Sequence, residues 1–184
     1  GNALVHIHLD GTVQVSTGAT EMGQGVNTKI AQIAADVFGI ETKNVRVMST
    51  STEKNHNTSP TAASSGADIN GAATLKACLA IAERLRFTAH LLFSGAEFTD
   101  TEELPVRNER NEVNTQGTSF LNETGSCNTA ANQNEVSLSH IEFKNSNVID
   151  TKNNHTMPLT KLLQVAYLNR VQMGEYAFFR TEGL

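Results

Sequence analysis

Hydrophobic and polar positions alternate from the start of the chain: Val5, Ile7 and Leu9 are separated by His6 and His8, and Val13 and Val15 resume the pattern after Asp10-Gly11. A period of two on either side of a pair that tolerates positive φ predicts a β-hairpin. Val26, Ile30, Ile33, Ala34 and Val37 then fall three and four apart with Gly39 behind them, which predicts a helix of about four turns stopped by glycine. Val45-Arg46-Val47-Met48 is a short β-prone run. From Ala67 to about Ala89 the chain is rich in Ala and Leu, and Ala72, Leu75, Leu79, Ala82 and Leu85 are expected to form one apolar stripe. The order β-β-α-β-α predicts an α+β fold, a two-layer α/β sandwich in which amphipathic helices cover a small mixed sheet.

The pattern stops at about Thr99. From there to Val136 the chain is Asn, Glu, Thr, Ser and Gln with few large apolar residues and no period, as in a loop-like insert or linker. Alternation returns at Ile141 and Phe143, Asn145-Ser146-Asn147 can turn, and Val148-Ile149 can form the returning strand. Pro158 stands where a helix can begin, Leu159, Leu162, Leu163, Ala166 and Tyr167 give that helix its apolar stripe, and Tyr176-Ala177-Phe178-Phe179 has strand character after Gly174. The expected organisation is an α/β unit over residues 1–98, a polar insert over 99–137, and a hairpin, helix and strand over 138–184 in the same or an adjoining subdomain.

Length and charge narrow the partners. The 184 residues suffice for one domain with a core, alone or with part of a neighbour. A net charge of -5 provides no basic field for a nucleic-acid backbone. Apolar runs are broken by Glu83, Arg84 and Arg86, well short of the roughly 20 apolar residues a bilayer requires, so a soluble, cytoplasmic protein is expected. The first residues carry no signal-peptide pattern, and the missing initiator Met suggests a piece of something longer. Cys78 and Cys127 are far apart and form no CxxC, too few thiols for an iron–sulfur centre or structural zinc, and a reducing compartment fits them. Asn57-Thr58-Ser59, Asn122-Glu123-Thr124 and Asn154-His155-Thr156 match the glycosylation pattern, as chance matches in an Asn-rich chain do.

Two loops can carry chemistry. Gly18-Ala19-Thr20-Glu21-Met22-Gly23-Gln24-Gly25 runs from the second strand into the first helix, where glycines let backbone N–H groups approach a ligand and the helix end offers unpaired donors. Its spacing matches neither the dinucleotide fingerprint nor the P-loop, and a plain strand-to-helix turn explains it equally well. Asn57-Thr58-Ser59-Pro60-Thr61-Ala62-Ala63-Ser64-Ser65-Gly66-Ala67-Asp68 again leads into a helix, with hydroxyls suited to a phosphate or to ordinary capping by Ser64, Ser65 or Asp68. Both loops precede helices of one small α/β unit, so they can converge on a single ligand. His6 and His8 share a strand face but are too few for a metal site, and His56 has a polar-loop role. Glu21 suits a backbone-positioning role at a helix start, and Glu97, Asp100, Glu102 and Glu103 form a solvated run.

Thr20-Glu21-Met22-Gly23-Gln24-Gly25 with Thr28-Lys29, then Asn57 to Ser64 and Asp68-Ile69-Asn70-Gly71, resembles the molybdopterin-binding subunit of the xanthine dehydrogenase and aldehyde oxidase family in motif order and spacing over residues 1–90. The likeness resumes more weakly from Leu159 to Leu184. The resemblance implies that Gln24 bonds the pterin through its side-chain amide, with Met22, Gly23 and Gly25 presenting backbone around it, and that Ala63, Ser64 and Ser65 receive the phosphate end. Gly66 departs from relatives that often carry serine there. It further implies a molybdenum–molybdopterin cofactor, plain or as the cytosine dinucleotide, in a parent that oxidises purines such as xanthine and hypoxanthine, or aldehydes, with water as oxygen source. The partners implied are the rest of the molybdenum subunit and iron–sulfur and FAD domains or subunits, with no cluster, FAD or direct metal ligand expected in this chain. The family's base is a glutamate in a Gly-Glu-Pro-type motif that this sequence lacks, so no catalytic residue is expected here and the chain alone is expected to be inactive. Two alternatives stand beside this reading: a noncatalytic scaffold derived from the family, and a small phosphate or nucleotide-binding module, which would need base-recognition or Mg²⁺ patterns that do not accompany the loops.

Overall fold

The computed structural model describes residues 1–55, 58, 60–61, 65–95 and 138–181 and, at Ser65, the backbone alone. Strands β1 (Asn2–Ile7) and β2 (Val13–Thr17) pair antiparallel with Val5 opposite Val15, so the alternation buries Ala3, Val5, Ile7, Val13 and Val15 together. Between them Gly11 has φ 83°, and the Asp10 carboxylate accepts the Thr12 N–H and hydroxyl at 2.9 and 2.7 Å. Because β1 stops at Ile7, exposed His8 belongs to the turn and does not share a strand face with His6.

Helix α1 (Val26–Phe38) ends on Gly39, whose φ of 59° is left-handed and whose neighbour Ile40 donates its N–H to Ala35 O at 3.0 Å. This is the Schellman closure that the glycine predicts. A Cβ on Gly39 would also overlap the Phe143 backbone, so glycine is required there twice over. A 3₁₀ turn (Thr42–Asn44) leads into β3 (Val45–Val47), parallel to β2, and the chain continues to helix α2 (Ser65–Phe93).

In the C-terminal region β4 (Ile141–Lys144) and β5 (Asn147–Asp150) form a hairpin whose turn residues Asn145 and Ser146 both have positive φ, 51° and 58°. A further strand that the polar sequence did not predict, β6 (His155–Pro158), completes a three-stranded antiparallel sheet. Pro158 is at once the end of β6 and the N-cap of α3 (Leu159–Leu168). Strand β7 (Gly174–Phe178) returns to pair antiparallel with β1, giving the order β3-β2-β1-β7. Helices α1 and α2 pack on this mixed sheet and on each other, as a two-layer sandwich requires.

The stripe expected on α2 holds at Ala82 and Leu85, which are buried, and fails at Leu75 and Leu79. Leu75 and Leu79 are 41% and 44% exposed, whereas Ala73, Ala77, Cys78, Ile81, Ala82, Leu85 and Ala89 are buried. An Ala-rich helix carries apolar residues on every side, so periodicity alone does not select the face. Small residues decide it: Gly71 lets α1 approach so closely that a Cβ there would stand 2.9 Å from Ile33 Cδ1. Ile141, Val148, Leu159, Leu162 and Leu163 join the same core as Val5, Ile30, Phe38 and Leu85. Arg84 ties β7 to α2, donating to Gln172 O, Gly174 O and the Glu175 carboxylate at 3.0, 3.3 and 2.8 Å. No helix among the described residues is long and apolar enough to cross a membrane.

Candidate functional site

Since β2 and β3 are parallel, their C-terminal ends lie at one edge of the sheet, and α1 and α2 both begin beyond that edge. In layered α/β structures ligands bind in the crevice outside the carboxyl ends of strands. Thr17, at the end of β2, accepts the Ala19 N–H on its hydroxyl at 3.3 Å, and the Ala19 carbonyl accepts the Thr50 hydroxyl at 2.7 Å. The Thr20 N–H donates to Thr61 Oγ1 at 2.9 Å, and Gly18 packs so tightly on Thr58 that a Cβ would overlap its side chain. The two sequence-distant loops are therefore joined by direct contacts, as convergence on one ligand requires.

Within the first loop, Gly23 and Gly25 have φ of 96° and 74°, and nothing lies within 4 Å of where their Cβ atoms would be. A ligand can approach that backbone closely. The donors there are already used. Glu21 Oε1 accepts from the N–H groups of Gly23 and Gly25, each at 2.9 Å, and Oε2 accepts from Asn27 at 3.0 Å. Those bonds, from Asn27 and Gly25 above all, hold the Glu21 carboxyl below the usual glutamate range. The expectation of unpaired donors at the start of α1 is thus corrected: Gly25 is an N-cap without a side chain, and Glu21 caps the helix from four residues upstream. Its helix-start role is the one the sequence suggested.

Gln24 is exposed and its amide bonds its own loop, Nε2 donating to Thr20 O at 2.8 Å and Oε1 accepting the Met22 N–H. A carboxamide has two N–H donors and two acceptor lone pairs, so one of each remains for a ligand. Met22 is 67% exposed beside it at the loop tip.

In the second loop, Ala63 and Ser64 lie outside the described residues, and Ser65 is the first residue of α2. Gly66, in the first turn, has room for a side chain: a Cβ would meet Thr61 Cγ2 at 3.5 Å, an ordinary contact. One turn further, Asn70 is 6% exposed, its Nδ2 donates to Gly66 O at 3.0 Å, and its Oδ1 is buried with no hydrogen-bond partner among the described residues. An orphaned buried acceptor costs free energy unless something donates to it, which fits a polar group held at this edge. The motif Asp68-Ile69-Asn70-Gly71 includes this residue but assigns it no role, because an Asn in a helix signals nothing until its burial is known.

The remaining candidates scatter. Among the described residues no cluster of three or more His, Cys, Asp and Glu side chains could hold a metal ion. Cys78 is fully buried and its thiol is pushed up to about 12 by burial, which makes it inert. His56, Cys127 and the acidic run Glu97, Asp100, Glu102 and Glu103 lie outside the described residues. An open cavity of about 380 Å³ is lined by Leu79, Glu83, Arg86, Leu138 and Ile141. It lies roughly 20 Å along α2 from Ser65, too far to belong to the two loops.

Residues 1–123 match the family model of the molybdopterin cofactor-binding domain. Over 83 residues, 45% of this chain, it is 53% identical to xanthine dehydrogenase of Dictyostelium discoideum and 54% identical to xanthine dehydrogenase 1 of Arabidopsis thaliana. The matched stretch is 6% of each of those proteins. In fold, 98% of the chain superposes on 19% of quinoline 2-oxidoreductase from Pseudomonas putida 86 with a TM-score of 0.69 at 21% identity. It superposes likewise on 18% of a Cu,Mo-CO dehydrogenase at 0.66 and 17%. With the family model covering residues 1–123, this chain belongs to the molybdopterin cofactor-binding domain family of xanthine dehydrogenase type molybdenum hydroxylases.

Proposed function

We propose that this chain supplies two of the segments that grip a molybdopterin cofactor in a molybdenum hydroxylase acting on purines or aldehydes. The contact between Thr20 N–H and Thr61 Oγ1 carries the reading, because it brings the Gln24 loop and the entrance of α2 to one place. Gln24 directs its remaining amide donor and acceptor to the pterin, with Met22, Gly23 and Gly25 forming the surface against which the pterin lies. Ala63, Ser64 and Ser65 at the start of α2 take the phosphate end, where helix polarity favours an anion. Asn70, one turn further along α2, has a buried side-chain oxygen that can accept from a donor on a neutral part of the cofactor. When bound, the cofactor supplies oxidative hydroxylation with water as the oxygen source. The chain's own residues bind and orient it, while the base, substrate pocket and electron carriers come from the rest of the parent. Either pterin form, plain or cytosine dinucleotide, is compatible with an α2 entrance that recognises phosphate. The parent works in the cytoplasm with iron–sulfur and FAD partners, and this chain alone does not turn over.

The test is Gln24→Ala in the full-length parent, with Gln32→Ala on the exposed side of α1 as control. Losing a buried hydrogen bond to the cofactor costs about 1–3 kcal/mol, so molybdenum retention and turnover should fall roughly five- to 150-fold while the melting temperature holds. Equal, near-wild-type molybdenum content in both variants would reject the cofactor role and leave the noncatalytic scaffold as the better description.

A further inference from the structure

The donors at the start of α1 are not open to a ligand, and their occupant is part of the chain. Glu21 Oε1 takes the N–H groups of both residues flanking Gln24, Gly23 and Gly25, and Oε2 reaches Asn27 inside the first turn. Gln24 in turn binds the carbonyl of Thr20 and the N–H of Met22, the residues flanking Glu21. Gly23 and Gly25 are both at positive φ, a conformation that glycine reaches but does not hold by itself, so the carboxylate is what defines the loop. A carboxylate that already fills a helix N-terminus repels a second anion from the same donors. The start of α1 is consequently neutralised from within.

Resting on the cofactor reading above, we infer that Glu21 is a positioning residue that sets the Gln24 amide and, by occupying the α1 terminus, admits only a neutral polar edge there. A phosphorylated end of a ligand is thereby kept away from the start of α1. Removing the carboxylate should both loosen Gln24 and open an anion site where none existed.

Nuclear magnetic resonance of the 184-residue chain tests this with no cofactor present. In the wild type, the amide protons of Gly23, Gly25 and Asn27 should titrate together with one midpoint below the ordinary glutamate range, and the Gln24 side-chain NH₂ signals should follow. The bonds that set this titration are backbone donors, and no charged side chain among the described residues contributes to it. In Glu21→Gln the common titration should disappear and the Gln24 NH₂ signals should shift. Inorganic phosphate should then perturb the Gly23, Gly25 and Asn27 amides of the variant and leave those of the wild type unmoved. Separate midpoints in the wild type, unmoved Gln24 signals in the variant, or phosphate that perturbs both proteins or neither would overturn the inference. The wild-type titration decides even if Glu21→Gln does not fold. Its failure would leave the cofactor reading standing, just as intact molybdenum content in Gln24→Ala would leave this clamp standing.

Discussion

Glu21 and Gln24 each hold the backbone on both sides of the other: the carboxylate binds the N–H groups of Gly23 and Gly25, and the carboxamide binds Thr20 O and Met22 N–H. The pair makes an exposed loop behave as a unit whose integrity depends on one ionised group.

Acid should therefore undo the loop before it undoes the core. The folded-state pKa of Glu21 is lowered by the Asn27 and Gly25 N–H groups, and that of Asp10 by the Thr12 hydroxyl and N–H. A group with a depressed folded pKa adds stability above its unfolded value and loses it as pH falls through the folded value. The expected result is a melting temperature sensitive to Glu21→Gln above about pH 5, where unfolded glutamate is ionised, with the difference shrinking as pH falls below the ordinary glutamate range. Thermal melts of both proteins across that range check it, and a constant difference at every pH would contradict it.

The phase of α2 gives a contrast within one helix. Ile81→Ala empties a fully buried position and should cost about 2–5 kcal/mol, whereas Leu79→Ala, at a position 44% exposed, should stay within about 1 kcal/mol. Urea denaturation of the two variants measures the difference. If Leu79→Ala were the more damaging, the stripe read from the sequence would be the correct one.

Gly66→Ser places a hydroxyl in the first turn of α2, where a Cβ meets only Thr61 Cγ2 at 3.5 Å. Replacing glycine in a helix should stabilise the chain by about 0.5–1 kcal/mol through the unfolded state. In the parent, the added hydroxyl should slow loss of molybdenum during dialysis. A variant that is stabilised yet loses molybdenum at the wild-type rate would place the phosphate end elsewhere than at this turn.

Much of the fold was legible because local rules decided it. Asp10-Gly11 and Asn145-Ser146 form turns, Gly39 stops α1, and Pro158 opens α3, each where backbone chemistry leaves few choices. Strand β6 escaped notice because His155-Thr156-Met157-Pro158 has no alternation and is held by pairing with β5. The buried face of α2 was hidden because alanine suits either side of a helix, and the close approach at Gly71 that selects the face is a property of two elements together. At the site, the glycines and Gln24 were visible in the motif. The state of the donors around them was not, since which N–H groups a carboxylate reaches depends on the φ of Gly23 and Gly25.

The pairing of β7 with β1 joins Asn2 to Phe178, and Gly1 and Phe179 exchange backbone bonds at 2.8 and 2.9 Å beside it. Strand β1 ends at Ile7 and β7 begins at Gly174, so the ribosome makes all the intervening residues before the two strands can pair. At roughly 5–20 residues per second, on the order of ten seconds or more separate their emergence. Through that interval β1 has one side of backbone N–H and C=O groups unpaired, and an open strand edge is a template for other chains. The yield of native protein is then expected to depend on how long that edge stays open as well as on the stability of the finished sheet.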